Sequence, residues 1–252
     1  METLLKLRLL FIFNHIIVVI GLWFASPYWL LLTLVGYFVI GRLGGEIGLH
    51  RYFSHKSFKT QLWKERVMLF AGIFICNGGP LWWAGTHRKH HAVSDTEQDP
   101  QALQNRIKLW NINKWSEKLA NVAVEKKYSQ DLFRNENIRF VHKHYFKILL
   151  STYFLLATID WRIPVFLISA SAIVEFHIVG LTNGSGHKGG NMGYRNFNTD
   201  DISTNLLWLN VVTLGAGLHN NHHNFPASSN FAVKEGEFDL LSMFIDKFLK
   251  VK

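Results

Sequence analysis

The chain has 252 residues, of which 48% are hydrophobic and 14% aromatic, yet its mean hydropathy is only +0.08. That mixture argues against both an ordinary water-soluble domain and a bundle lying wholly in lipid, and points to a membrane protein with a substantial polar part outside the bilayer. The formal charge of +9 comes without the basic-motif spacing of a nucleic-acid binder, and the single cysteine, Cys76, excludes a disulfide framework or a thiolate metal site.

The first 24 residues, METLLKLRLLFIFNHIIVVIGLWF, have a leader-like flavour but no small-residue cleavage site, and a second apolar stretch follows at once. They are expected to stay as a membrane helix. Four spans are expected, at about residues 9–24, 29–49, 145–160 and 163–182, in two hairpins turned at ASPY and DWR. Gly44, Gly45 and Gly48 at the end of the second span suit close helix packing. Residues 67–76 are too short a run to span, and are read as an interfacial or buried helix. The stretch KWSEKLANVAVEKKYSQDLF carries a helical pattern, and Cys76 in GIFICNGG reads as a small buried apolar residue. Lys and Arg are sparse in the two hairpin turns and frequent elsewhere, which puts both termini and all long loops in the cytosol. The expected fold is therefore an all-α integral membrane protein, one domain over residues 1–252. Its four transmembrane helices carry a cytosolic helical cap, about residues 50–144 and 183–252.

Nine of the 13 histidines fall into four groups on that cytosolic side. His50 and His55 form HRYFSH; His87, His90 and His91 form HRKHH; His187 closes NGSGH; His219, His222 and His223 form HNNHH. Residues three and four apart share a helix face, so the members of HRKHH can converge on one point, and HNNHH repeats the pattern. His55 would lie about 140° around from His50 on a continued α-helix, so a bend is expected between them. Neutral imidazole suits Zn, Fe, Cu or Ni, and nine ligands exceed what one ion can use, so two metals are the economical reading. Asp95, Glu97 and Asp99 in SDTEQDP are candidate partners for ligating imidazoles, or helix caps and surface charges. Trp82 and Trp83 suit either the lining of an apolar tunnel or an interfacial anchor. His142 and His144 read as solvated or interfacial. His15 and His177 lie within spans and read as hydrogen-bonded to a neighbouring helix, with Glu175 a partner for His177 or a group facing a cavity.

The segments GLHRYFSHKSFKT, WAGTHRKHHAVSDTEQDP, NGSGHKGGNMGYRNFNTDDISTN, GLHNNHHNFP and EFDLLSMFIDKF resemble the membrane-bound fatty acyl desaturases of the delta-9 acyl-CoA and acyl-lipid type. The resemblance covers most of residues 40–100 and 180–248. It implies a non-haem di-iron centre held by the nine histidines, with Asn183 holding a metal-bound water and no catalytic residue beyond the metals. It also implies O2 as co-substrate and a long acyl substrate on coenzyme A, acyl carrier protein or lipid. The electrons would come from a separate ferredoxin or cytochrome b5, since the fused cytochrome's His-Pro-Gly-Gly motif is missing from the chain. Two departures stand out. The last box reads GAGLH, with Ala216 and Leu218 where the family has Glu and an aromatic, and QALQNRIKLWNINKW follows Pro100 where the family has HN and an aromatic-rich stretch. The altered box leaves room for a related hydroxylase or acetylenase, and a non-catalytic metal-binding membrane protein is the reading from another class.

Overall fold

A computed structural model describes residues 2–101, 126–188 and 193–251, and these are helical, with isolated bridges such as Thr60–Lys250 but no strand among the described residues. Among the described residues three helices are long and apolar enough to cross a membrane: α1 (Glu2–Phe24), whose apolar part is Leu5–Phe24, α2 (Pro27–Ser54), and a helix, α8 below, over Arg162–Gly186. The outer face of α1 leaves Leu9, Ile16, Val19 and Leu22 exposed, which is the pattern of side chains that meet lipid rather than water. Between α1 and α2 the chain turns within Ala25-Ser26, and Pro27 sits in the first turn of α2 where its missing N–H is no loss.

From Tyr37 to Ser54, α2 is wound as a π-helix, with hydrogen bonds from residue i+5 to residue i. That segment is largely buried, because α3 (Leu62–Ile73) and α4 (Pro80–Ala92) pack against it. The approach to α3 depends on a glycine: a Cβ on Gly44 would stand 2.5 Å from the Ala71 backbone. The expected close packing at Gly44 is thus real. α3 buries Met68, Leu69 and Ile73 and exposes Leu62, Trp63, Val67 and Phe70, so it packs as an amphipathic helix antiparallel to α2, with Ala71 at Gly44 and Met68 at Gly48. Cys76 follows it, half-buried against the core and outside any helix.

The next described helices are α5 (Lys126–Phe133), α6 (Glu136–Lys143) and α7 (Tyr145–Ile159). Asn135 caps α6 by accepting the backbone N–H groups of Asn137 and Ile138. Part of the expected helix in KWSEKLANVAVEKKYSQDLF is α5; residues 102–125, with nearly all of QALQNRIKLWNINKW, lie outside the described residues. At 15 residues α7 is apolar but shorter than the other three. It turns at Asp160, whose carboxylate accepts from the Arg162 backbone and guanidinium, into α8 (Arg162–Gly186). The Arg162 guanidinium also lies 4.4 Å over the Trp29 ring, so the two hairpin turns meet at one end of the bundle. Inside the apolar bundle, Asn14 of α1 is buried and accepts from Ser169 Oγ of α8 at 2.8 Å.

The chain then forms α9 (Leu207–Thr213), α10 (His219–Asn224) and α11 (Leu240–Phe244), the last running on through a π-wound turn, Ile245–Leu249. Leu241, Ile245 and Leu249 join Ile47, Leu49, Phe53, Met68 and Ile73 in one core under the polar end. The core holds the C-terminal segment against the end of α2, where the histidines are.

Candidate metal centre

The site is assembled from four element ends. His50 lies in the π-wound last turns of α2, and His55 follows them directly. The His55 N–H reaches the His50 carbonyl at 3.2 Å, one more five-residue step of the winding. That winding brings the His55 and His50 rings edge to face, with centroids 5.0 Å apart, so the two share a face where an α-helix would have separated them. The expected bend is replaced by a change of helical pitch. α4 carries His87, His90 and His91, α8 ends at His187, and α10 carries His219, His222 and His223. The N-terminus of α10 is fixed by Asn205, whose Oδ1 accepts from the backbone N–H of Asn220 and of Asn221.

All nine histidines meet at this place, in two adjacent groups. His50, His55, His87, His91 and His222 form one, and His90, His187, His219 and His223 the other; within each group one ligand nitrogen per residue lies within 4.8 Å of all the others. HRKHH therefore does not converge on one point: His87 and His91 turn to one group and His90 to the other. HNNHH divides the opposite way, with His222 in the first group and His219 and His223 in the second. The groups abut, since the His91 and His223 rings stack at 4.3 Å across their boundary.

Among the described residues four carboxylates stand behind the imidazoles. Nδ1 of His50 faces Glu46 at 2.9 Å, that of His90 Asp99 at 3.0 Å, that of His187 Asp95 at 3.0 Å and that of His223 Asp201 at 2.6 Å. Each carboxylate accepts the hydrogen bond of the Nδ1–H and so leaves Nε2 as a bare lone pair aimed inward. Asp95 and Asp99 answer the sequence expectation, while Glu97 is exposed on the same turn. Glu46 and Asp201 did not stand out in the sequence, although Glu46 is four residues before His50, a spacing that can bring side chains onto one helix face. Burial, reinforced by the neighbouring imidazoles, holds His55, His87, His91, His219 and His222 well below the usual histidine range. His223 is lowered by burial in the same way, although Asp201 pulls it upward. These six imidazoles are neutral at pH 7, the form that ligates a metal. Burial would raise Asp99, but the hydrogen bonds from His90 and from the Gln101 and Asp95 backbone keep it below the ordinary carboxylate value.

The nitrogen-to-nitrogen distances test whether a cation fits. Nε2 of His50 and of His222 are 2.9 Å apart, those of His222 and His91 3.0 Å, those of His91 and His87 3.1 Å, and those of His87 and His55 2.8 Å. In the second group Nε2 of His187 stands 2.9 Å from that of His219 and 3.2 Å from that of His223. His187 and His223 both have Nδ1 on a carboxylate, so two lone pairs face each other with no proton between them. Such contacts repel unless a cation shares them. Imidazole nitrogens about 2.0–2.1 Å from an ion lie about 2.9 Å apart at right angles and about 3.4 Å apart in a tetrahedron, which brackets what is seen. The residues fit two nitrogen-ligated transition-metal ions, and an all-imidazole set excludes hard cations such as Mg and Ca.

Asn183 is buried four residues before His187 on the same face of α8. Trp83 stacks on His87 at 5.2 Å, and Phe231 lies 4.4 Å from His222, so both line the centre; Trp82 packs instead over Gly78. The other histidines are elsewhere. His142 packs against Gly79, and its Nδ1 is buried rather than solvated. His144 lies on the Phe140 ring. His15 and His177 face each other at 5.8 Å within the bundle, and His15 bonds its own helix through the Phe11 carbonyl. Glu175 pairs with Arg42 of α2, not with His177.

Comparison with known proteins gives the same direction as the geometry. The fatty acid desaturase family matches residues 22–234. An sn-1 stearoyl-lipid 9-desaturase of Anabaena variabilis is 33% identical over 84% of this chain and 78% of its own length. An sn-2 palmitoyl-lipid 9-desaturase of Nostoc sp. (strain 36) is 29% identical over 90% of this chain and 80% of its own. Delta-9 acyl-lipid desaturase 2 of Arabidopsis thaliana is 30% identical over 85% of this chain and 70% of its own. A polar end of nine convergent histidines on an apolar helical bundle, matched over most of its length, places the chain in the fatty acid desaturase family, oxidoreductases that act on fatty acyl chains.

Proposed function

We propose that this protein inserts a cis double bond, by default at the delta-9 position, into a long acyl chain carried on a membrane lipid. The observation that carries the reading is the pairing of two all-histidine groups with carboxylates on Nδ1, set at the end of a lipid-facing bundle. The lipid carrier follows the names of the relatives above, and coenzyme A or acyl carrier protein are the other carriers of the same chemistry. His50, His55, His87, His91 and His222 would hold one iron, and His90, His187, His219 and His223 the other, with Asn183 holding a water on it. Bound iron with O2 supplies the oxidant that an unactivated C–H bond requires. In the balance, two hydrogens leave the acyl chain, two electrons and two protons arrive from outside, and O2 leaves as two waters.

The chain's own groups perform the rest. Glu46, Asp95, Asp99 and Asp201 hold the Nδ1 protons, so that Nε2 is the coordinating atom in each supported ring. Trp83 and Phe231 close apolar surfaces over His87 and His222, and exclude water from where a C–H bond must lie. In this reading α7 is a fourth span beside α1, α2 and α8, and the basic loops set both termini and the centre on the cytosolic side. A ferredoxin or cytochrome b5 is the separate electron donor.

The test is expression in a host lacking desaturases, with reductase and ferredoxin supplied, followed by iron analysis and mass spectrometry of the fatty acids. A new cis-monoene with two irons per chain is expected, and His90→Ala should lose the iron of its own group and the product together. A hydroxy or alkynyl product would replace desaturation with the related oxidation, and two irons without product under several donors would overturn the enzyme reading.

A further inference from the structure

The two histidine groups differ in what stands behind them. Three of the four histidines in the second group have a carboxylate on Nδ1, from Asp99, Asp95 and Asp201. Among the described residues only one of the five in the first group does, His50 with Glu46. Nδ1 of His222, in that first group, is buried without a partner. The contrast extends to charge. Glu46 Oε1 is shared with the buried Arg51 guanidinium at 3.2 Å, which offsets its charge. Arg88 lies beside His87 and donates to the Ser54 carbonyl next to His55, with its own charge paired to Asp131. By contrast, the carboxylates of Asp95 and Asp201 gather with His187 within 4.8 Å of one another and pair with no Lys or Arg among the described residues.

A carboxylate on Nδ1 makes the imidazole a stronger donor, and losing one such partner commonly weakens metal binding about 10- to 100-fold. Two more such partners amount to roughly 100- to 10,000-fold in favour of the four-histidine group. The Asp95 carboxylate, which pairs with no Lys or Arg among the described residues, also draws the dication. The first group has one more imidazole, but that ligand is neutral and brings no charge to the site. We infer that the four-histidine group, His90, His187, His219 and His223, is the tight site that fills first, and that the five-histidine group is the weaker, exchangeable one. The inference rests on the two-metal reading above.

Titration of metal-free full-length protein in detergent with Co2+, followed by calorimetry and visible absorption, tests it without any turnover. Two equivalents should bind with affinities at least about 10-fold apart. His55→Ala should remove the weaker equivalent and leave the tight one, and His219→Ala should do the reverse. Asn still accepts the imidazole N–H through its one carbonyl oxygen, so Asp95→Asn with Asp201→Asn removes charge. At Asp95 the bonds to His187 and Ile202 share one oxygen and are kept, while at Asp201 the amide replaces the oxygen that accepts from Ser203 and Thr199. The Asn pair should weaken the tight equivalent at least about 10-fold and leave the other within about threefold, while Glu46→Gln should affect only the weaker. Equal affinities, loss of the tight equivalent in His55→Ala, or an Asn pair that weakens both alike would overturn the inference. Fewer than two equivalents in the parent protein would overturn the two-metal reading itself, a result separable from the others.

Discussion

Asp239→Ala tests how the C-terminal segment is tied to the centre. Arg51 is fully buried, and its Nη1 donates to Asp239 Oδ2 at 2.7 Å and to the Ser229 carbonyl at 2.8 Å. Its ring-stacked face lies 3.9 Å over Phe231, which in turn packs on His222, and its Nε shares Glu46 with His50. Asp239 also accepts the backbone N–H of Phe231 and caps α11 through Ser242. Removing one partner of a buried ion pair costs about 3–5 kcal/mol, because the other charge is left without compensation. Glu46 and the Ser229 carbonyl still hold Arg51, which argues for the low end, but two backbone N–H groups lose their acceptor at about 1 kcal/mol each or more. The sum is roughly 4–6 kcal/mol, and at about 2–4 °C per kcal/mol for a chain of this size the melting temperature should fall by at least about 8 °C. Thermal loss of helical circular dichroism in detergent reads it. Arg51→Met added to Asp239→Ala removes the stranded charge, so the double variant should be less destabilised than the two single effects added together. A shift under about 2 °C for Asp239→Ala, or strict additivity in the double variant, would refute the assignment of a coupled buried pair.

Acidification should destabilise the metal-free protein. The six imidazoles lowered by burial, His55, His87, His91, His219, His222 and His223, are neutral when folded and take up protons only when unfolded. Their contribution is therefore complete above about pH 6.5 and is lost as pH falls below it, at up to about 1.4 kcal/mol per pH unit for each histidine. Chemical unfolding at pH 8, 7, 6 and 5 checks this, and an unchanged midpoint down to pH 5 would count against the neutral cluster. Arg88→Ala should cost about 2 kcal/mol or more, since Arg88 forks onto Asp131 and also donates to the Phe53 and Ser54 carbonyls. Arg88→Lys should restore little, because one ammonium cannot reproduce the planar fork; full recovery of thermal stability in Lys would contradict the geometry.

The grouping of histidines was legible because metal ligation concentrates one residue type, and three-and-four spacing marks a shared helix face. The division between the two groups was not. It depends on helix placement: α4 and α10 each lie between the groups, so the middle histidine of each box turns away from its neighbours. His50 and His55 were readable as a pair but not as neighbours on one face, because a local excess of one residue per turn leaves no mark in composition. Asp201 was hidden for another reason. It stands 22 residues before His223, and only the fold of the intervening loop brings them together. Spans were legible from apolar length for α1, α2 and α8, where hydrophobicity decides. α7 is ambiguous because its 15 residues are fewer than the roughly 20 that cross a bilayer unaided.

The altered box GAGLH shows why a departure in sequence need not be a departure in the centre. Gly215 has φ +144°, and a Cβ there would stand 2.2 Å from Asp239 Oδ1 and 3.0 Å from Arg51 Nη2. That close approach is what lets Asp239 reach Arg51, so this position of the box is fixed by the backbone. Ala216 and Leu218 are buried, and Leu218 immediately precedes α10 and accepts the His222 N–H at its carbonyl. His219, His222 and His223 keep their places in both groups with these residues present. A side chain at 216 or 218 can alter the shape of the apolar surroundings, but Asn205 holds the first turn of α10, Asp201 the His223 ring and Phe231 the His222 ring, and none of the three lies in the altered box. The effect of the departure is therefore to be sought in which acyl chain is accepted and what product leaves, rather than in metal binding.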